Sequence, residues 1–475
     1  MKRNPDFSRT KIVATLGPAC AETETIKEMI LSGMDVVRLN FSHCRHDIHD
    51  AYIAAVEEAS EQTGVQVSIL ADLCGPKIRV GSLEHPVEVQ TGEQITITTE
   101  EITGKGQRIS TSYKDLHLDV RKSDTILIDD GLIRLSVLAI DGREIVCTAI
   151  EGGTIKQHKG MNLPDTKVSV PSITDKDKED LHFILRRNID YVALSFVRSR
   201  DDIQQLRSIM EHTGKTLPIV AKIEKPEALN DLEGIIESTD IVMVARGDLG
   251  VEVRAELVPM YQKQIIDRCN KTGKPVITAT QMLDSMIHNS RPTRAEVSDV
   301  ANAVYDGSDA VMLSGETAVG KYPIGAVKMM DAIIQSSELG PNSSRQQFLR
   351  DTAEPIPDAV NVCRAACMMA DDTEAQGIIT VTRTGKTAQL LSRFRPSVPI
   401  IAFTEDPGIM KYLNIVWGVQ TELIDKVGDT DETLGRARDL AVEMGYLKPG
   451  KKVIYATGIP LLKAVSTNMI KIETL

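Results

Sequence analysis

Residues 219–250 read IVAKIEKPEALNDLEGIIESTDIVMVARGDLG, and the two halves of this stretch share one pattern. Each half opens with an apolar run of strand length, at 219–223 and 241–245, and helical periodicity follows the first run. Charged residues stand directly after both runs. Continuous apolar strands that alternate with helices are typical of a parallel sheet whose two faces are both covered.

The same alternation extends over most of the first 340 residues. Apolar runs occur at 12–16, 36–39, 67–70, 191–196, 219–223, 241–245, 276–279 and 310–313. Eight such units favour a closed barrel over an open sheet. The sequence therefore predicts an α/β fold in which residues 1–76 and 171–340 form a (β/α)8 TIM barrel.

Two other regions read differently. Residues 77–170 contain stretches with a period of two, separated by the turn dipeptides Asp130-Gly131 and Asp141-Gly142. This pattern predicts a small β-barrel lid domain inserted into a barrel loop. A new alternation of strands and helices begins after residue 340, so residues 341–475 are expected to form a C-terminal α/β domain.

Composition excludes several classes of protein. The formal net charge of −12 and the lack of a basic tract argue against a nucleic-acid-binding protein. No run of about 18 uncharged apolar residues predicts a membrane span, and the polar first ten residues do not resemble a secretory signal. Seven cysteines without paired spacing fit reduced thiols. We therefore expect a cytoplasmic protein.

Polar residues close the apolar runs unusually often, and in a barrel of this kind catalytic groups project from the carboxyl ends of the strands. A solvated or ion-paired strand end is the simpler explanation for any one of them, but many at one rim indicate a site. These residues are Arg38, Asn40, Ser42, His43, Asp72, Lys222, Glu224, Arg246, Gly247, Asp248, Thr280, Gln281, Ser314 and Glu316.

Lys222 and Glu224 are two positions apart on one predicted strand, so their side chains face the same way. Asp248 follows the next strand and is expected nearby. Two carboxylates that share a site with substrate phosphate are typical ligands of Mg2+ or Mn2+, and Lys222 would neutralise charge on a transferred phosphoryl group. A buried Lys-Glu-Asp ion-pair network is the structural alternative. Gly247 would let backbone N–H groups approach an anion.

The segments 11–18, 36–43, 71–79, 219–225, 242–250, 278–286 and 291–316 resemble the signature segments of the pyruvate kinase family, in order and at the right intervals. The inserted lid, the loop 159–164 and the C-terminal domain resemble it too. The resemblance implies that the phosphoryl group of phosphoenolpyruvate is transferred to ADP, giving pyruvate and ATP, in the last step of glycolysis. It also implies allosteric regulation through the C-terminal domain and a homotetramer.

By this resemblance, Glu224 and Asp248 hold the divalent metal, while Lys222 and Arg38 stabilise the moving phosphoryl group. The main chain at Gly247 and Asp248 would bind the substrate carboxylate. Thr280 would lie near the carbon that gains a proton, although a threonine hydroxyl is too weak an acid to supply it. A water chain that reaches Ser314 and Glu316 is the better hypothesis. The nucleotide would bind at Asn40, His43, Arg79 and Lys159.

One departure from the commonest family pattern concerns potassium. Many members bind K+ through residues that match Asn40, Ser42 and Asp72 and through the carbonyl of a threonine at the position of Leu73, and they have a glutamate at the position of Lys77. This chain resembles the subgroup in which a lysine ammonium replaces the ion, so we expect activity without K+. The alternative is that Lys77 is a surface charge near the hinge.

In the last domain, the residues Thr382, Arg383, Thr384, Gly385, Lys386 and Thr387 lie between a predicted strand and a predicted helix. They suit a phosphate at a helix N-terminus and match the family's loop for sugar-phosphate or nucleotide effectors. A capping turn at Thr384 is the alternative.

Two other functions deserve comparison with the kinase. A barrel lyase or aldolase that uses pyruvate or phosphoenolpyruvate would share the metal and the arginine, but it would not need the lid with Lys159. A non-catalytic metabolite sensor would not need Lys222, Glu224, Asp248 and Thr280 intact.

Overall fold

A computed structural model describes residues 8–340, 356–425, 429–461 and 465–475 of the chain. The described strands, numbered in chain order, are β1 Lys11–Thr15, β2 Val36–Asn40, β3 Ser68–Asp72, β4 Val87–Val89, β5 Gln94–Thr98, β6 Arg108–Ser110, β7 Thr125–Ile128, β8 Ile133–Asp141, β9 Glu144–Glu151, β10 Gly153–Ile155, β11 Met161–Asn162, β12 Tyr191–Leu194, β13 Ile219–Ile223, β14 Ile241–Ala245, β15 Val276–Ala279, β16 Ala310–Leu313, β17 Gly377–Val381, β18 Ile400–Thr404, β19 Val419–Leu423, β20 Lys452–Thr457 and β21 Met469–Thr474.

The described α-helices are α1 Thr23–Leu31, α2 His46–Thr63, α3 Leu116–Asp119, α4 Asp175–Leu185, α5 Arg200–Thr213, α6 Pro226–Asn230, α7 Leu232–Ser238, α8 Arg246–Glu252, α9 Val258–Thr272, α10 Arg294–Asp306, α11 Gly315–Ala318, α12 Pro323–Glu338, α13 Asp358–Asp372, α14 Lys386–Arg393, α15 Pro407–Tyr412 and α16 Thr430–Glu443. Short 3-10 helices lie at Pro18–Cys20, Ala255–Leu257, Asp284–Ile287 and Leu413–Ile415. Among the described residues, no helix is both long enough and apolar enough to cross a membrane.

Eight parallel strands close into a barrel in the order β1-β16-β15-β14-β13-β12-β3-β2, which confirms the predicted TIM barrel. Most strand residues are buried, as expected when helices cover the outer face of the sheet. The predicted run 191–196 was too long. β12 ends at Leu194, because Phe196 adopts a positive φ of 56°, which strand geometry does not allow.

The inserted region forms a six-stranded sheet in the order β11-β7-β8-β9-β5-β6, and β4 pairs with β10 beside it. β8 and β9 are antiparallel and connected through Asp141 and Gly142, one of the turns that the sequence predicted. Gly142 has a φ of 57°, a conformation that glycine adopts at low cost. The core of this region includes Ile97, Ile126 and Leu135.

The last part of the chain builds a five-stranded sheet in the order β19-β18-β17-β20-β21, in which β21 is antiparallel to β20. The sequence did not predict β19. Its residues Gln420, Thr421 and Glu422 interrupt any apolar run, and they are tolerated because β19 is an edge strand with partly exposed side chains. The separate C-terminal α/β domain is confirmed.

The C-terminal domain meets the barrel at the amino ends of the barrel strands. Arg395 and Asp309 are both buried there, and one guanidinium nitrogen of Arg395 lies 3.0 Å from Asp309 Oδ1. This joint lies at the end of the barrel opposite the polar strand ends, and we call it the floor.

Candidate active site

The carboxyl ends of β2, β3, β13 and β14 meet at the other end of the barrel, which we call the mouth. β2 pairs with β3 so that Asn40 lies opposite Asp72, and β13 pairs with β14 so that Lys222 lies opposite Met243. Because the strands are parallel, the polar residues that follow them collect at one rim.

The ammonium of Lys222 is the centre of a buried cluster. Its Nζ lies 2.9 Å from Glu224 Oε1 and 3.3 Å from Asp72 Oδ1, and it donates a hydrogen bond of 2.7 Å to Ser195 Oγ. Burial opposes the charge on this amine, but the two carboxylates raise the pKa of Lys222 above its ordinary value. Lys222 is therefore a fixed positive charge.

Arg38 contributes the second cation of the cluster. Its Nε donates to Asp72 Oδ2 at 2.7 Å, and its Nη1 donates to Thr15 Oγ1 at 3.0 Å. Burial by itself would raise the pKa of Asp72, but Lys222 and Arg38 together hold that pKa below its ordinary value. Asp72 thus stays ionised and holds both cations in place.

Glu224 is in the opposite electrostatic situation. Burial, assisted by the nearby charge of Asp248, raises its pKa to about 7, although Lys222 opposes the shift. Its Oε2 accepts a hydrogen bond of 2.7 Å from the backbone N–H of Phe196. A buried carboxylate with a second, half-buried one nearby fits a divalent cation, which would remove the repulsion between them.

A metal bound here would need further ligands. Within the described ranges, no group of three or more His, Cys, Asp and Glu side chains is arranged to hold a metal ion. Mg2+ commonly binds through one or two carboxylates together with substrate phosphate and water, so two carboxylates such as Glu224 and Asp248 would be enough protein ligands for such an ion.

Thr280 and Gly247 are in direct contact. The backbone N–H of Gly247, in the first turn of α8, donates to Thr280 Oγ1 at 2.7 Å. Thr280 has a φ of 72° and Gln281 one of 53°, an unusual conformation for residues with a Cβ atom and especially for a β-branched one. Such strain commonly occurs at functional sites. The N–H that we expected to bind substrate thus already has a partner.

Glu316 occupies a structural position. Its two carboxylate oxygens accept hydrogen bonds from the backbone N–H groups of Leu283 at 3.0 Å and of Ser314 at 2.7 Å. Burial raises its pKa. Glu316 therefore connects the loop after β15 with the loop after β16, and these hydrogen bonds do not involve Thr280.

The residues expected to bind the nucleotide lie around the rim. Burial lowers the pKa of His43, and the charges of Arg79, Lys77 and Arg38 lower it further, so these four side chains share one electropositive region. Arg79 donates to the carbonyl of His158 at 3.0 Å, while Lys159 pairs with Asp129 of the lid at 2.8 Å. Lys159 is thus held by the lid.

The structure brings only part of the expected monovalent-cation site together. Asn40 Oδ1 accepts from the backbone N–H of Ser42 at 3.1 Å, and the Leu73 carbonyl accepts from Ser195 Oγ at 2.7 Å. Lys77 lines a small cavity under the loop at Gly160 instead. In the described parts of the chain, its ammonium makes no ion pair with Asp72 or hydrogen bond to Asn40.

The expected effector loop borders a cavity of about 290 Å3 in the C-terminal domain. Thr382, Arg383, Thr384, Lys386 and Thr387 line it, together with Ser466 and Thr467 from the far end of the chain. Gly385 has a φ of 78°, and its N–H donates to Thr382 Oγ1 at 3.0 Å. Hydroxyl groups and two cations therefore face one concave surface.

Two residues of the site, Ser195 and Phe196, were not predicted from the sequence. Ser195 contacts Lys222 and the Leu73 carbonyl, and Phe196 presents its N–H to Glu224. Both lie inside the run 191–196, which we treated as one apolar strand. The polar Ser195 at the end of that run was the available signal.

Comparisons with known proteins agree along the whole chain. The family model described as pyruvate kinase, barrel domain, matches residues 7–327, and the one described as pyruvate kinase, alpha/beta domain, matches residues 360–473. A pyruvate kinase of Clostridium acetobutylicum is 43% identical over 98% of this chain and 99% of its own. One from Geobacillus stearothermophilus is 44% identical over 98% of this chain and 80% of its own.

A solved structure supports the same likeness. The crystal structure of a pyruvate kinase from Cryptosporidium parvum superimposes with a TM-score of 0.92 and 38% sequence identity, covering 99% of this chain and 96% of that one.

Proposed function

Since the chain belongs to the pyruvate kinase family, which transfers the phosphoryl group of phosphoenolpyruvate to ADP to give pyruvate and ATP, we propose that the buried cluster around Lys222 carries out this transfer. The observation that carries the proposal is the set of contacts from one ammonium to Glu224, Asp72 and Ser195. Lys222 and Arg38 provide two fixed cations for the equatorial oxygens of the transferred group, where negative charge is spread in the transition state.

Glu224 and Asp248 hold the divalent metal that the family generally needs. Held by these two residues, Mg2+ or Mn2+ would supply Lewis-acid chemistry and neutralise part of the charge of the substrate. The raised pKa of Glu224, caused by burial and by Asp248, supports this role, because the metal would stabilise both carboxylates in their ionised form.

The substrate carboxylate binds at the start of α8, at Gly247 and Asp248. The N–H of Gly247 now donates to Thr280, so an incoming carboxylate oxygen would compete with that hydroxyl. We place Thr280 close to the carbon that accepts the proton. We place Ser314 and Glu316 in support of a water chain to this carbon, with Glu316 acting by holding the two loops together.

ADP binds across the rim at Asn40, His43, Arg79 and Lys159. The shared electropositive region around His43 supports a site for its phosphates, since neither Arg79 nor Lys77 forms an ion pair with a carboxylate within the described residues. Lys159 is the contribution of the lid, and its ion pair with Asp129 positions it before the nucleotide arrives.

We further propose that this chain works without K+ and belongs to the lysine-substituted subgroup. Lys77 has a half-buried side chain at the hinge, and its charge acts on His43. Pyruvate formation in buffer free of potassium and sodium should match the rate with K+ added, and Lys77→Glu should make the rate depend on K+. A wild-type rate that collapses without K+ would reject this part.

We also propose that the protein is a cytoplasmic homotetramer. The proposed domain limits are those inferred from sequence: 1–76 with 171–340, 77–170, and 341–475.

The C-terminal cavity is proposed to bind a sugar-phosphate or nucleotide effector through Thr382 to Thr387. A panel of sugar phosphates and nucleoside monophosphates, tested for activation of wild type and of Lys386→Ala, identifies the effector. Activation that persists unchanged in Lys386→Ala would place the site elsewhere.

The direct test of the site uses Glu224→Gln and Asp248→Asn, with Asp175→Asn as an exposed control. Both site variants should need a much higher Mg2+ concentration for half-maximal pyruvate formation. Unchanged Mg2+ dependence in both would contradict the metal assignment.

A further inference from the structure

A contact between the lid and the barrel lies beside the metal site and has no part in the chemistry above. Asn162, the last residue of β11 in the lid, donates from Nδ2 to Glu252 Oε1 at 2.8 Å. Glu252 is the last residue of α8 in the barrel and is 4% exposed. Lys225 Nζ reaches the same oxygen at 2.6 Å. One buried carboxylate therefore joins a lid amide to a barrel ammonium.

The second oxygen of Glu252 is free. Both donors converge on Oε1, and in the described parts of the chain the buried Oε2 has no hydrogen-bond partner. Glu252, Asn162 and Lys225 line a cavity of about 30 Å3 between lid and barrel. A buried carboxylate oxygen without a donor is costly, and the cavity beside it is large enough for a water molecule to donate to it. Oε1 is therefore the atom through which Glu252 joins the lid to the barrel.

Two routes connect Glu252 with the proposed metal ligands. Glu252 ends the seven-residue helix α8, whose first turn contains Asp248. Lys225, its ion-pair partner, lies 6.0 Å from the ring centre of Phe196, and the Phe196 N–H donates to Glu224. A displacement of Glu252 would thus change the positions of the Asp248 and Glu224 carboxylates.

We propose that Asn162 and Glu252 form a latch that sets the position of the lid over the active site. Asn162 is the lid's part of the latch, and Glu252 is a positioning residue that transmits the lid position to α8. This inference rests on the proposed metal role of Glu224 and Asp248 only for its effect on the reaction.

The latch predicts a specific kinetic pattern, because Lys159 lies three residues from Asn162 and is carried by the same loop. Asn162→Ala should raise the KM for ADP about tenfold, the loss expected for one hydrogen bond to a charged group, with a smaller change in the KM for phosphoenolpyruvate. Asn162→Asp should raise it more, because two carboxylates would then face each other. Asn162→Gln keeps the donor and should stay within about threefold of wild type.

Gln107→Ala is the matched control. Gln107 is also a lid amide, but it donates to the Glu88 carbonyl at 3.4 Å inside the lid. The KM of the Gln107→Ala variant for ADP should equal that of wild type. If Asn162→Ala and Asn162→Asp behave like this control, or lower only the melting temperature, the latch is wrong.

A second measurement needs neither metal nor turnover. Amide hydrogen exchange of the segment 246–252 in the protein without substrates should be faster in Asn162→Ala than in wild type and unchanged in Gln107→Ala. Equal exchange in all three proteins overturns the latch whatever Glu224→Gln does to activity. Faster exchange with a failed metal test would keep the latch and reject the metal assignment.

Discussion

The barrel has a buried ionic cluster at each end, and the two are built differently. At the floor, Arg395 faces Asp309, and each group is completed by the backbone or by a neutral side chain. Asp309 Oδ2 accepts from the Val276 N–H at 2.9 Å, and Arg395 donates to the Gly307 carbonyl at 2.6 Å and to Asn270 Oδ1 at 3.2 Å. One cation is matched to one carboxylate.

At the mouth, the charges are not matched in this way. Lys222 and Arg38 share Asp72, Lys222 also pairs with Glu224, and Asp248 adds another carboxylate nearby. The pKa of Asp72 is lowered, whereas that of Glu224 is raised to about 7 by burial and by Asp248. Two carboxylates of one cluster thus shift in opposite directions, which is typical of sites arranged for chemistry. The ion pair at the floor holds two domains together. The unmatched charges at the mouth are suited to interact with charged substrates and a metal ion.

The largest expected effect comes from the mouth. Lys222→Met should lower kcat for pyruvate formation by about three orders of magnitude, because a preorganised positive charge at the transferred group is lost. It should also lower the melting temperature without metal, since buried Glu224 would then lose its ammonium partner and Asp72 would keep only Arg38, and Mg2+ should restore part of the melting temperature. Steady-state kinetics and thermal scans with and without Mg2+ measure both.

Lys178→Met is the control for this change, because Lys178 is half exposed and, among the residues that the structure describes, its ammonium pairs only with Asp175, at 2.8 Å. It should behave as wild type in both assays. A Lys222→Met enzyme with nearly normal kcat would mean that the mouth, like the floor, is only an ion-pair network.

The floor should show the reverse pattern. Arg395→Met leaves Asp309 buried without its guanidinium and should lower the free energy of unfolding by about 3 kcal/mol, whereas kcat of the remaining folded enzyme should change little. Urea unfolding and kinetics well below the transition separate the two. Arg436→Met, at an exposed ion pair with Glu443, should cost less than about 1 kcal/mol. If Arg395→Met lost much of its kcat but kept the free energy of unfolding of wild type, the floor would not be a purely structural ion pair.

A smaller effect is expected at Thr280, where the mouth combines strain with a hydrogen bond. Thr280→Ala frees the Gly247 N–H but removes the hydroxyl that we place beside the carbon that gains the proton, so it should lower kcat/KM for phosphoenolpyruvate by about tenfold, corresponding to roughly 1–2 kcal/mol. Thr280→Ser keeps the hydroxyl and should lose much less. Equal losses in the two variants would show that the methyl group, and not the hydroxyl, determines the geometry.

The sequence predicted the barrel because its strands are buried on both faces and read as continuous apolar runs. It also placed Lys222 and Glu224 together, since residues two apart on a strand face the same side. Both inferences use local periodicity. They required no knowledge of which distant segments meet.

The missed features depend on contacts between distant segments or on backbone conformation. Arg395 and Asp309 are 86 residues apart and lie in different domains, so no spacing indicates that they pair. The positive φ of Phe196 ends β12 early and points an N–H at Glu224, which composition does not reveal. The bond between Gly247 and Thr280 likewise joins the ends of two strands.

The smallest expected effect is the change of the melting temperature with pH that His43 at the rim of the mouth causes. The floor should not contribute to this change. Burial, with Arg79, Lys77 and Arg38, lowers the pKa of His43, so the folded protein takes up this proton at lower pH than the unfolded chain. Stability from a neutral His43 is thus present above its ordinary pKa of about 6.5 and is lost as the pH falls. Between about pH 7.5 and 5.5, the melting temperature of His43→Asn should fall slightly less than that of wild type. ADP should reduce this difference in melting temperature, because its phosphates neutralise the cations of the rim.

His85→Asn, at an exposed lid position, is the control, and its melting temperature should change with pH as that of wild type does. A steeper fall in the melting temperature of His43→Asn would mean that the rim cations do not lower the pKa of this histidine.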